Sequence, residues 1–113
     1  MKNIFKLLSI LFLIITFVAC SDDPPSFRVK NERTTKANVQ IKTVANTENI
    51  NDVQPGTITN YKDVAEGKVD ITAEIQNETD EPAGSFNAEP DYNYTIVIVN
   101  TTPPSIRIDR SDK

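Results

Sequence analysis

The side chains able to do chemistry in this sequence are few and of narrow type. The chain has 113 residues, one cysteine, no histidine and no tryptophan, and its 16 acidic against 12 basic residues give a formal net charge of −4. A cysteine nucleophile needs a neighbouring base, usually histidine, and Cys20 has none to call on. Ser-His-Asp triads and most zinc sites go with the missing histidines. Carboxylates remain. A glycosidase-like pair requires two of them across a cleft, one with its pKa raised by burial, whereas Asp63, Glu66, Asp70 and Glu74 fall at strand edges or on wet faces. The expectation is a protein that is not an enzyme. Asn77-Glu78-Thr79-Asp80-Glu81 offers oxygen ligands of the kind calcium takes, but it lacks the central glycine and spacing of a calcium loop, so no metal and no cofactor is expected. The acidic balance argues against nucleic acid, whose phosphates require clustered Lys and Arg.

Cys20 sits instead at a boundary. Lys2 and Lys6 precede an uncharged apolar run, Leu7 to Val18, that stops at Ala19, the layout of a secretory signal peptide. The run falls short of the roughly 20 residues that cross a bilayer. Phe17-Val18-Ala19-Cys20 resembles the lipobox of bacterial lipoproteins. The resemblance implies cleavage after Ala19, diacylglycerol on the Cys20 sulfur and acylation of the new amine. Two or more acyl chains anchor stably, because each buried methylene contributes about 0.8 kcal/mol. Ser21-Asp22-Asp23 is similar to the acidic export signal of Bacteroidota-type surface lipoproteins, which implies display on the outer face of the outer membrane. The expected organisation is a leader over 1–19, a lipidated tether over 20–25 stiffened by Pro24-Pro25, and one domain over 26–113, large enough to bury a core without disulfides.

That domain reads as strands. Lys36 to Val44 alternates, with Ala37, Val39 and Ile41 on one face and Lys36, Asn38, Gln40 and Lys42 on the other; Lys68 to Gln76 repeats the pattern through Val69, Ile71, Ala73 and Ile75. A period of two with one wet face implies antiparallel sheets. Tyr94 to Val99 is apolar on both faces and reads as a central strand. Weaker strands are expected at Ser26 to Lys30, Thr57 to Val64, Ser85 to Ala88 and Ser105 to Arg110, with Asn46 to Asn51 and Asn77 to Glu81 as polar loops. About seven short strands punctuated by Gly and Pro turns predict an all-β sandwich.

Tyr61-Lys62-Asp63-Val64-Ala65-Glu66-Gly67-Lys68-Val69-Asp70-Ile71 and Tyr94-Thr95-Ile96-Val97-Ile98-Val99 resemble two signatures of a domain of unknown function found in bacterial surface lipoproteins. The resemblance implies an immunoglobulin-like or transthyretin-like antiparallel β-sandwich, with no catalytic residue to carry over. Tyr94 at the start of its strand fits a tyrosine corner, while Tyr92 and Tyr94 together are the alternative of an aromatic platform for sugars. The function expected is a binding or adhesion module, attached to the membrane through its lipid, that recognises a glycan or a protein through loop ends or a sheet edge. The alternative is a structural spacer or subunit of a larger surface assembly. It depends on Val97 and Val99, whose outer face would meet a partner unless a loop such as Thr101 to Ser105 covers it.

Overall fold

The computed structural model describes residues 23–113; the leader, Cys20, Ser21 and Asp22 lie outside them. Eight strands follow in order: β1 (Ser26–Asn31), β2 (Ala37–Lys42), β3 (Thr47–Val53), β4 (Lys62–Asp63), β5 (Gly67–Ile75), β6 (Ala83–Ala88), β7 (Tyr92–Val99) and β8 (Ser105–Asp112). They form two four-stranded sheets, ordered β4-β1-β7-β8 and β3-β2-β5-β6. The expected all-β sandwich is present. It has eight strands rather than about seven, and one pair, β1 with β7, runs parallel from Ser26 opposite Asn93 to Asn31 opposite Ile98.

The alternating segments become the strands that face the core. Burial alternates strictly along β2 and almost strictly along β5, so Val39, Ile41, Val69 and Ile71 meet Phe27, Val29, Ile96 and Ile98 of the other sheet, each 1% exposed or less. Each such side chain contributes about 1.5–3 kcal/mol by leaving water. Along one side the sandwich closes where β6 meets β8. A Cβ at Gly84 would lie 3.0 Å from Cγ2 of Ile106, so a larger residue there would have to push that side chain aside.

Three sequence expectations change. Asn46 to Asn51, read as a loop, lies mostly within β3, an edge strand paired with β2 from Ala37 opposite Val53 to Lys42 opposite Thr47. Only its Ile50 packs on the core as a partly buried apolar residue before Val53, so the strand carries little hydrophobic signal. Thr57 to Val64 does run beside β1, but pairs regularly only at β4 and at a bridge between Ile58 and Lys30. Pro25 is no free spacer: it is buried, and its carbonyl accepts the Val64 N–H at 2.9 Å. Asp23 is fixed too. Its N–H donates to Asp91 Oδ1 at 3.1 Å and its carbonyl accepts the Asp91 N–H at 2.9 Å.

The registers define two ends of the sandwich. Ser26, Lys42, Gly67, Ala88 and Tyr92 lie at the end where Asp23 docks; Asn31, Ala37, Ile75 and Val99 lie at the other.

Candidate functional site

On the solvent face of the second sheet, Asn38 of β2 stands opposite Glu74 of β5, and Gln40 stands opposite both Thr72 of β5 and Asn49 of β3. Two depressions meet there. One, of about 340 Å³, is lined by Lys36, Asn38, Glu74, Gln76, Asn77 and Glu78. The other, of about 170 Å³, shares Asn38 and Glu74 and continues to Gln40, Asn49, Thr72 and Glu81. Together they form a cleft along β2 and β5 that reaches the end remote from Asp23.

Local irregularities shape its walls. The β2–β3 register shifts between Ala37 and Val39, and a bulge of this kind bends its strand. Asp52 takes a left-handed φ of 57°; its N–H is held by Asn38 Oδ1 at 2.8 Å, and its carboxylate meets Lys36 Nζ at 3.4 Å. On the opposite wall Asn77, at φ 68°, turns the chain after β5, with the Glu78 N–H donating to the Ile75 carbonyl at 3.1 Å. Asn and Asp tolerate this conformation better than other side-chain-bearing residues.

Beneath the remote end lies a buried polar lock. Asn31 is 0% exposed; its Nδ2 donates to the Thr35 and Val53 carbonyls at 2.9 and 3.0 Å, and its Oδ1 accepts the Arg33 N–H at 2.9 Å. The Arg33 guanidinium then donates to the Val99 and Thr101 carbonyls at 3.1 and 2.9 Å and pairs with Glu78 at 2.9 Å. One arginine thus ties the loop after β1 to the turns after β5 and β7. Its Nε is buried without a protein partner.

The residues singled out from sequence scatter. Cys20, Ser21 and Asp22 fall outside the described residues. Tyr94 is 3% exposed, stacks on Phe86 with ring centroids 4.4 Å apart, accepts the Glu89 N–H at 3.0 Å and donates to the Asn87 carbonyl at 3.2 Å. It is a tyrosine corner, not half of a sugar platform. Tyr92 is half-buried against the core, with the Arg110 guanidinium 4.4 Å over its ring. Val97 corrects the expectation of an open valine face: it is 0% exposed. Its register neighbours are Lys30 and Arg107, side chains of a kind whose hydrocarbon stems can cover apolar surface while their charges stay wet. Val99 is half-buried. On the same face Arg107 bonds Asp109 at 3.0 and 3.1 Å; this bond first, and the attraction between the charges with it, lowers the Asp109 pKa and raises that of Arg107.

Sequence reasoning placed Asn38, Gln40, Glu74 and Gln76 on wet faces but not in one cleft, since nothing local says that β2 and β5 are neighbours. Asn49 was hidden with β3. Glu78, considered for calcium, is committed to Arg33, and among the described residues no group of three or more His, Cys, Asp or Glu is placed to hold a metal ion.

No family model matches the sequence, and a search of curated proteins finds no match. Among solved structures, the chain is similar to a protein from Eubacterium rectale determined by NMR. The two share 12% identity and a TM-score of 0.56, over 80% of this chain and 91% of the other. A likeness at that identity concerns the fold alone.

Proposed function

We propose that this chain is a lipid-anchored lipoprotein of the bacterial cell envelope, displayed at the outer membrane surface, which acts without catalysis by binding a glycan or protein at the cleft on β2 and β5. The observation that carries the binding role is the position of this cleft at the end remote from Asp23, where the chain arrives from the anchor. The anchor itself rests on the sequence Phe17-Val18-Ala19-Cys20 and the display on Ser21-Asp22-Asp23. With the anchor on Cys20, only Ser21 and Asp22 separate the lipid from the Asp23 clamp. At about 3.3–3.6 Å per residue when fully extended, such a tether lets the domain stand at most about 10 Å from the bilayer, with the cleft at the far end.

The scaffold alternative rested on Val97 and Val99; Val97 is 0% exposed and Val99 half-buried, so only Val99 offers a partner part of its surface. Growth with a labelled fatty acid, followed by intact mass measurement, tests the anchor. Retention of Met1, or a Cys20 without lipid, refutes it. Protease shaving of intact cells tests display, and photocrosslinking from positions 38 and 74 tests the cleft: capture of one defined envelope component supports the binding role, and capture of none overturns it.

A further inference from the structure

Building on the binding role of this cleft, we propose that its ligand is a neutral polyhydroxylated one, an oligosaccharide chain lying along β2 and β5. The lining decides the class. Gln40, Asn49, Thr72 and Gln76 make no side-chain hydrogen bond within the chain among the described residues, while Asn38 commits only its Oδ1. Amides offer donors and acceptors together, a hydroxyl does both, and the Glu74 carboxylate only accepts. Their natural complement is a ligand whose groups also donate and accept, which describes sugar hydroxyls.

Other classes fit less well. An anionic ligand would face Glu74, Glu78 and Glu81, and the cation in the lining, Lys36, is already beside Asp52. An apolar ligand would leave this row of polar groups stripped of water, at a cost no apolar contact repays. An extended peptide gains its main-chain ladder at a sheet edge rather than over a face. Length fits too: Lys36 to Gln40 spans about 13 Å at the rise of a strand, enough for a short run of sugar residues in line. With no aromatic ring in the lining, recognition rests on hydrogen bonds, so affinity is modest.

The test titrates neutral tri- to pentasaccharides into the lipidated mature protein, labelled with ¹⁵N and held in detergent micelles, following side-chain amide signals. Saturable shifts confined to Asn38, Gln40, Asn49 and Gln76, insensitive to salt, are expected. Glu74→Gln and Gln40→Ala, both on the exposed face, each weaken binding roughly fivefold to tenfold, the loss of about one net hydrogen bond, with the amide spectrum elsewhere unchanged. Absence of saturable shifts at millimolar sugar, shifts centred on Tyr61 or Tyr92, or tighter binding of a uronate-rich chain overturns the ligand class. If the cleft crosslinks to a protein while no sugar shifts it, the oligosaccharide is refuted and the binding role stands; if nothing crosslinks there, the role itself fails.

Discussion

Replacing Asn31 by Asp changes one NH₂ group into an oxygen without changing shape, at a site that is 0% exposed. That atom donates to the Val53 and Thr35 carbonyls at 3.0 and 2.9 Å. A carboxylate there would point negative oxygen at two carbonyl oxygens, so the folded variant takes up a proton instead. Holding an Asp protonated at pH 7, about three units above its ordinary pKa of about 3.9, costs about 4 kcal/mol. The neutral acid can donate to one carbonyl, and the orphaned second adds about 1 kcal/mol. The sum approaches the whole stability of a domain this size, about 5–14 kcal/mol. Its pH dependence follows from linkage. The variant carboxyl has a folded pKa above its unfolded value, so the protonation cost is absent below about pH 4 and grows as pH rises. Urea unfolding of both proteins, followed by tyrosine fluorescence at pH 4 and pH 7, should give a gap of about 1–2 kcal/mol at the lower pH and about 5 kcal/mol at the higher. A gap under about 1 kcal/mol at pH 7, or one independent of pH, would refute the account of Asn31 as the donor that holds these loops.

Further outcomes test other parts of the fold. Tyr94→Phe removes the hydroxyl that serves Glu89 and Asn87, and a loss of about 1–2 kcal/mol should appear as a fall in Tm of about 4–16 °C. Gly84→Ala presses on Ile106 Cγ2 and should cost about 1–3 kcal/mol, part of which Ile106→Leu, lacking that methyl, restores in the double variant. Asp109 should titrate below the usual carboxylate range by NMR, since its bond to Arg107 favours the ionised form, and Arg107→Gln should return it to that range. The sign for stability follows from the lowered pKa: any contribution is present above the unfolded value and disappears as pH falls through the folded one.

The core was legible because the strands that build it repeat an apolar residue at every second position. Val39 and Ile41, then Val69, Ile71, Ala73 and Ile75, announce both their structure and their buried face. β3 was not legible for the opposite physical reason. An edge strand covered on one side only by Ile50 can be polar nearly throughout, and its place is dictated by pairing with β2 and by the turn in which Thr43 Oγ1 accepts the Ala45 and Asn46 N–H groups at 3.1 and 2.9 Å. The cleft inherits that opacity, since one wall is Asn49 and the others pair Asn38 with Glu74 and Gln40 with Thr72, 36 and 32 residues apart in sequence. Asn31 and Arg33 were equally silent: a buried amide and a buried guanidinium look in sequence like any solvated pair, and only the carbonyls of Val53, Val99 and Thr101 reveal what they hold.

The lock and the cleft are connected through Glu78. Its carboxylate binds Arg33 at 2.9 Å on one side, and the same residue lines the larger depression on the other. The backbone that shapes this end of the cleft is therefore fixed from inside the domain, so ligand binding would not have to order it and would avoid the entropy that ordering consumes. The opposite end is fixed as firmly, because the Asp23 backbone bonds twice to Asp91 while leaving its own carboxylate out of both bonds. The Asp23 side chain stays exposed at the surface beside these bonds. Both ends of the sandwich are thus set by bonds made within the domain, which is the condition under which the proposed cleft would be pre-shaped for its ligand.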